Sequence, residues 1–366
     1  MLKIALSLCA ATLLVIIAPT SRLAAREHPG PLAPEDWYWQ PGEAQQHTVF
    51  WTAVLQDDTG FIIYVSLLRT NMGLGGGGNT GVAISVTAPD GTVTRLKRQY
   101  PATRFSEHYE PSDGTGEISI ADEQKLTFGG DTHRLQATLD GLELDVTLTP
   151  WLPGYKFGDG RIEVDPEAGH FMKYFFLVPR ADIKGTLSNG DERHELAGAG
   201  YLELMASNRA ITLWARRVYV MNLFADDLTV HFMAGYPLAS HAHLHDQLSY
   251  LVVSDRSGIR LASRSPQLTF RDRTEGPEGC RWPEVLRLRG GGGDVPAVEI
   301  RMETEAPHDA YIVLEQLGWA LRRLVGRIMG NPVFLRFQNR YELRLGVEGG
   351  QRAGTGRALH QVVCLR

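Results

Sequence analysis

Cysteine is nearly missing from the sequence: three residues in 366, with neither a CxxC pair nor a Cys/His finger spacing. That excludes the usual structural zinc modules, which draw their ligands from short, closely spaced motifs. A basic excess is missing too, since 37 Lys+Arg stand against 42 Asp+Glu for a formal charge of −5. Nucleic-acid binders normally carry a basic stripe, so that class is set aside. There is no G-x-S-x-G elbow, and without one no serine can be singled out as a nucleophile. Long uninterrupted helical patterns are scarce. What is present is 43% hydrophobic residues, which excludes disorder and collagen-like repeats, together with 39 glycines. The length suits about two domains, and the glycines lean towards many strands joined by turns.

The first 25 residues read as a secretory signal peptide. Lys3 gives a short positive start, Ile4 to Pro19 carries no charge, and Ser21-Arg22-Leu23-Ala24-Ala25 offers small residues for cleavage. The alternative is a retained membrane anchor, although the apolar run is shorter than the roughly 20 residues a spanning helix needs. Cys9 is a poor lipoprotein site because Leu8 precedes it. A periplasmic or secreted protein is expected. Loss of Lys3 and Arg22 takes the charge from −5 to −7, so only transient membrane contact is expected. Export also puts Cys280 and Cys364 in an oxidising compartment, where they are either one disulfide or two buried thiols.

From Trp37 onward, short β-branched or aromatic runs follow one another. Val49–Leu55, Phe61–Leu68, Gly81–Ala88 and Thr92–Lys97 are divided by Asp57-Asp58-Thr59-Gly60, a glycine loop and Pro89-Asp90-Gly91. His133–Leu139 and Leu142–Leu148 are joined by Asp140-Gly141, a strong hairpin signal. Further strands are expected at Phe171–Val178, Ile211–Met221, Leu228–Met233, Leu248–Val253, Val285–Leu288, Val298–Met302, Val333–Phe337, Arg340–Gly346 and Leu359–Leu365. So many short strands imply sandwiches or barrels, because closure removes exposed edges. One segment differs: from Asp309 to Met329, apolar residues recur at helical spacing with Arg322, Arg323 and Arg327 opposite, ending at Gly330-Asn331-Pro332. The organisation read from these signals is a tail over 26–36, a first barrel over 37–178 and a second over 179–366, carrying the helix 309–329.

Several motifs have chemical content. Gly73-Leu74-Gly75-Gly76-Gly77-Gly78 superficially resembles a phosphate loop, but a β-run follows where a helix and a lysine are required. Gly290–Gly293 is likewise a turn. His241-Ala242-His243-Leu244-His245-Asp246, if extended, puts three imidazoles on one face; the alternative is a polar loop after Pro237, and no metal is expected. Trp37-Tyr38-Trp39 either plugs a barrel end or lines a ligand mouth. Gly198-Ala199-Gly200-Tyr201-Leu202-Glu203 places a carboxyl after glycines that admit a close approach. In an apolar cavity Glu203 would have a raised pKa and act as a general acid; on a surface strand it would do neither.

These residues together resemble the tandem-lipocalin group of the fungal survival-factor proteins, related to AttH-like proteins and to carotenoid 1,2-hydratase. The resemblance runs from about Thr48 to Leu345: Val49-Phe50-Trp51, Ile62–Leu68, Asn71 with its glycines, Pro89-Asp90-Gly91 and Phe105-Ser106. Tyr174-Phe175-Phe176-Leu177-Val178-Pro179-Arg180 and Gly185-Thr186 look like that group's junction between barrels, and Val313–Met329 with Gly330-Asn331-Pro332-Val333-Phe334 like its helix-then-strand ending. In the hydratase branch, the glycines and tyrosine precede an Asp-His-Asn-Trp-Gly run. Here Glu203 stands for the aspartate, while Leu204, Met205 and Ala206 replace the orienting partners.

The resemblance implies an all-β fold of two consecutive lipocalin-like antiparallel barrels with one amphipathic helix near the C-terminus. It implies non-catalytic binding of a lipid or isoprenoid in a barrel cavity, without a cofactor. Candidate lining residues are Tyr201, Glu203, Met205 and Trp214, with Arg216 or Arg217 for an anionic head group. The alternative is a hydratase- or cyclase-type enzyme acting on a polyene or terpenoid with Glu203 as proton donor. A scaffold protein with a filled core is the third reading.

Overall fold

The computed structural model describes residues 29–38, 44, 46–72, 78–112, 114–244, 248–292, 295–315, 323, 326, 330–347 and 350–365. The expected signal segment lies outside them. Two antiparallel sheets hold nearly all of the described chain, one curled into a near-barrel and the other into a half-barrel. The first comprises β1 (Pro29–Pro31), β2 (Thr48–Asp57), β3 (Ile62–Thr70), β4 (Asn79–Thr87), β5 (Val93–Pro101), β6 (Phe105–Glu110), β7 (Thr115–Ile120), β8 (Gln124–Phe128), β9 (His133–Leu139), β10 (Leu142–Pro150), β11 (Tyr155–Phe157), β12 (Arg161–Asp165), β13 (His170–Asn189) and β14 (Glu192–Ser207). The second comprises β15 (Ala215–Phe224), β16 (Thr229–Pro237), β17 (Ser249–Asp255), β18 (Gly258–Ser263), β19 (Gln267–Glu275), β20 (Arg281–Gly292), β21 (Val295–Glu303), β22 (Asp309–Ile312), β23 (Val333–Val347) and β24 (Gly350–Cys364). The main path of the first sheet is β5-β4-β3-β2-β14-β13-β10-β9-β8-β7-β6, and that of the second is β18-β17-β16-β15-β24-β23-β21-β20-β19. This is the all-β architecture expected from the sequence.

Period-two patterning explains the strands. In β9, His133, Leu135, Ala137 and Leu139 turn inward while Arg134, Gln136 and Thr138 turn out. The Asp140-Gly141 turn joins it to β10 with φ of 51° and 86°, the positive pair that a tight hairpin needs. Trp51, Ile63, Leu67 and Ile118 fill the first core, and Tyr219, Phe232 and Phe337 the second, each almost fully buried. Each such side chain contributes roughly 1.5–3 kcal/mol. Trp37 stacks on Phe128 with ring centroids 4.6 Å apart and, with Tyr38, packs against the first core. A third apolar cluster, including Tyr155, Phe176, Trp214, Tyr250 and Val363, draws on both sheets and forms the seam between them.

Three sequence expectations need correction. The boundary expected at Pro179 falls inside the 20-residue strand β13, which belongs to the first sheet. The chain changes sheets between Ser207 and Ala215 instead. Pro179 is tolerated there because the ladder shifts register between Val178 and Ala181, sparing a donor that proline lacks. The run Ile211–Met221 begins as a 3-10 turn at Ile211–Leu213 before β15 starts. Of the helix expected over 309–329, Asp309–Ile312 is strand β22, paired with β23. Arg323 and Gly326 are helical, and the other residues between 316 and 329 lie outside the described residues.

Two ties secure the second sheet. Cys280 and Cys364 form a disulfide that closes an 84-residue separation onto the last strand. Asp309, 1% exposed, accepts from Ser85 (2.8 Å), Arg95 (2.5 Å) and Arg336 (2.6 Å). Ser85 and Arg95 belong to the first sheet and Arg336 to the second, so this carboxylate clasps one sheet to the other. Arg336 also lies over the Tyr64 ring at 4.0 Å.

Candidate functional site

Alternation along β14 decides where its candidates point. Leu202, Leu204 and Ala206 belong to the first core, so Tyr201, Glu203 and Met205 face the other way, into the seam. Glu203 thus sits between the barrels rather than inside the first. Strand β13 presents Tyr174 beside it, and the second sheet supplies Tyr250 from β17, with Tyr174 and Tyr250 ring centroids 5.8 Å apart.

The Tyr174 hydroxyl donates to Glu203 Oε2, and the Tyr201 hydroxyl is 3.2 Å from the same oxygen. Glu203 is half-buried. Burial pushes its carboxyl up to about 7, against the pull of the two phenols. Burial also raises Tyr174, Tyr201 and Tyr250 well above the usual phenol range, so all three remain neutral donors. The carboxyl is therefore poised between acid and base near neutrality, inside a frame of phenols.

Behind Tyr201 stand two buried polar groups of the second sheet. Asn222 on β15 lies 2.7 Å from His231 Nδ1 on β16, and His231 Nε2 is 2.6 Å from the Pro179 carbonyl. Burial pushes the His231 imidazole down to about 4. Arg180 crosses the same junction, donating to the carbonyls of Ala225 and Leu228 and lying 3.5 Å from the Trp151 ring centroid.

Tyr174 also forms part of the wall of a small cavity of about 20 Å³, shared with Phe157, Ile162, Met233 and Tyr250 and flanked by Arg161 and Arg264. That volume suits one water. A groove of about 580 Å³ lies along the open side of the second sheet, among Ser263, Gln267, Arg289, Glu299, Arg344 and Gln351. Its polar wall, with the Arg289–Glu299 ion pair at 2.9 Å, suits water better than an apolar ligand.

The structure brings Tyr201, Glu203, Met205 and Trp214 to one seam, with Trp214 fully buried and Met205 half-buried. Arg216 is exposed, and Arg217 donates to Tyr219 at 3.2 Å. The cations beside the seam cavity are Arg161 and Arg264. His241 and His243 lie in a 3-10 turn, not an extended strand, and His245 and Asp246 lie outside the described residues. Among the described residues, no group of three His, Cys, Asp or Glu is placed to hold a metal. Sequence reasoning missed Tyr250 and Asn222 and took Tyr174 only as part of a junction. A signal did exist: Asn222 and His231 are lone polar residues in the apolar runs Val218–Phe224 and Val230–Met233. Such residues need buried partners.

No family model matches the sequence, and neither does any curated protein. Solved structures do match. An AttH-type protein of Nitrosomonas europaea superimposes with a TM-score of 0.63 at 14% identity, over 92% of this chain and 98% of that one. The fold is AttH-like. CghA bound to Sch210972 superimposes on it with a TM-score of 0.62 at 12% identity, covering 88% and 89% of the two chains. CghA alone gives 0.62 at 13% identity. Identities this low establish the AttH-like, lipocalin-like barrel fold and leave the chemistry to the residues of the seam.

Proposed function

We propose that the protein binds one apolar small molecule, a lipid or isoprenoid, against the seam between its barrels, with Glu203 making the polar contact. The observation that carries this is a half-buried carboxyl set between the two sheets and framed by Tyr174 and Tyr201. As an acid it donates a hydrogen bond to a ligand oxygen without burying a charge, which would be far more costly. Phe157, Ile162 and Met233 offer apolar surface, worth roughly 25 cal/mol per Å² covered. Arg161 and Arg264 suit an acidic head group.

A ligand of that size needs hundreds of Å³, so on this reading the seam opens as it enters. Arg161, now over Phe171, and Arg264, now over Phe157, are the side chains that move. That CghA was crystallised with Sch210972 supports a small-molecule role for the fold. The lipid class rests on the resemblance to the survival-factor branch. Export by a signal peptide to the periplasm or beyond, with transient membrane contact, completes the proposal; sequencing the mature N-terminus checks the cleavage.

A second reading is favoured by the carboxyl poised near 7. Glu203 would protonate a polyene or terpenoid double bond, leaving a carbocation that water captures or that loses a proton elsewhere. The orienting partners absent from Leu204, Met205 and Ala206 would be Tyr174 and Tyr201, supplied in space rather than in sequence. Organic extraction of protein from its native host, wild type and Glu203→Gln, followed by mass spectrometry, tests both. The same unaltered ligand from both proteins rules out the enzyme, and a product lost only in the variant supports it. Empty extracts from both would overturn the carrier.

A further inference from the structure

Charge divides the chain unevenly. Residues 26–207 hold 14 Lys+Arg and 26 Asp+Glu, whereas residues 208–366 hold 21 arginines, no lysine and 16 acidic residues. The later half is therefore a net cation and draws anions, although the chain as a whole is acidic. Many of its arginines are paired, as Arg289 is with Glu299 and Arg340 with Glu305. At one end of the half-barrel the pattern changes, and arginines meet aromatic rings instead.

Three strands build that end. Arg217 on β15 stands opposite Tyr236 on β16 in their ladder, and Tyr219 shares the face of Arg217 by alternation. Strand β19 is the edge of the sheet and pairs with β20, so on its other side it meets β15 and β16 through side chains. Phe270 makes that contact, with its ring centroid 4.9 Å from Tyr219 and 6.3 Å from Tyr236. Arg273 lies 5.5 Å from the Phe270 ring, and Arg217 donates to the Tyr219 hydroxyl at 3.2 Å. Tyr219 is buried, Arg217, Tyr236 and Phe270 are half-buried, and Arg273 is exposed. The cluster thus opens outward with cations at its rim. Burial and Tyr219 raise the Tyr236 phenol against the pull of Arg273, Arg217 and Arg216. On the inner side, the His360 ring stacks on Tyr219 at 6.1 Å. His360 Nε2 and the Oδ1 of its neighbour Asn339 are buried without a hydrogen-bond partner among the described residues, which is uncommon in a filled core.

We propose that this end of the second half-barrel is a second binding site, distinct from the seam, for a planar apolar anion such as an aromatic or polyene carboxylate. Arg217 and Arg273 hold the carboxylate, and Phe270 plugs the place that the flat body of the ligand takes. A guanidinium forks onto a carboxylate through two parallel N–H donors. Both arginines face rings among the described residues, so neither has to leave a carboxylate of the chain. Tyr219 and Tyr236 then pack against the ligand as they now pack against Phe270, offset or edge to face. Strand β19 gives way because no ladder holds it on that side. The site is independent of Glu203: Tyr219, Tyr236 and Phe270 belong to the core of the second sheet, not to the apolar cluster at the seam.

Fluorescence titration of the full-length chain with cis-parinarate, a polyene carboxylate that brightens in apolar surroundings, tests this, with its methyl ester as the uncharged control. Saturable binding of the carboxylate is expected, about tenfold or more tighter than that of the ester, which lacks the charged hydrogen bonds. Arg217→Ala should weaken the carboxylate by about tenfold and leave the ester unchanged. Arg217→Lys keeps the charge and should restore most of the affinity. Phe270→Ala should tighten both probes, because no ring has to be displaced, and Glu203→Gln should alter neither. No saturable binding, equal binding of the two probes, or weaker binding in Phe270→Ala overturns the proposal. So does an Arg217→Ala loss shared by the ester, which marks a collapsed barrel end rather than a lost charge. A loss in Glu203→Gln without one in Arg217→Ala overturns it as well, by placing the probe in the seam.

Discussion

Replacing Asp309 should separate the two barrels energetically more than any other single side chain in their contact. Its carboxylate takes hydrogen bonds from Ser85, Arg95 and Arg336 while being 1% exposed. Asp309→Ala leaves the Arg336 guanidinium, whose side chain is only 13% exposed, without its counter-charge, and the buried Ser85 hydroxyl without its acceptor. Breaking a buried pair in this way costs about 3–5 kcal/mol. Arg95→Ala should cost about 1 kcal/mol or less, because the Arg95 side chain is 41% exposed and Arg336 and Ser85 still satisfy the carboxylate. The ranking is read from urea midpoints by tryptophan fluorescence. The pH dependence adds a sign. Burial alone would raise the Asp309 carboxyl, but Arg336, Ser85 and Arg95 together hold it below the usual carboxylate range. Its stabilisation is therefore complete above the unfolded-chain value of about 4 and is lost as pH falls through the lower folded value. The gap between wild type and Asp309→Asn should close over that acid window. A loss below about 1 kcal/mol in Asp309→Ala, or an Arg95→Ala loss equal to it, would refute the clasp.

Glu203 works in the opposite sense. Its carboxyl is raised in the folded chain to about 7, so stability is full below the unfolded value of about 4.3 and declines as pH rises through 7. Glu203→Gln should flatten that decline, by about 3 kcal/mol for a rise of roughly 2.5 pH units, in stabilities from urea unfolding measured from pH 4 to 8. The Cys280–Cys364 bridge closes an 84-residue separation, for which chain entropy gives roughly 4–5 kcal/mol. Reductant should lower the wild-type midpoint by that much and leave a double cysteine-to-serine variant unchanged, with both ending at the same value.

Strand positions were legible in the sequence because they depend on local alternation. Leu135, Ala137 and Leu139 mark the buried face of β9 without reference to any other strand, and Asp140-Gly141 names its own turn. The place where the chain changes sheets was not legible, because β13 runs through Pro179 and only its partners, β10 and β14, show that the strand continues. A proline beside an arginine looks like a break until the register shift that accommodates it is known. The site divided in the same way. Glu203 could be nominated from the glycines before it, yet the phenol of Tyr174 and the imidazole of His231 come from residues 28 or more positions away. No local pattern encodes pairing at that distance. The lone polar residues Asn222 and His231 announced that buried partners existed without saying which.

The clasp and the seam are built from the same two sheets, and that makes one titrate through the other. Tyr174, Tyr201 and Glu203 come from the first sheet; Asn222, His231 and Tyr250 come from the second. The midpoint near 7 depends on keeping water away from Glu203, because desolvation is the largest influence on it. If Asp309 fixes how the sheets dock, Asp309→Ala should let water into the seam and move the Glu203 midpoint down towards 4–5, although the two residues share no contact. Infrared titration of the carboxyl band in folded Asp309→Ala measures this directly. A midpoint unchanged from wild type would mean that the apolar cluster of Tyr155, Phe176, Trp214 and Tyr250 docks the sheets unaided. The clasp would then add stability without shaping the site.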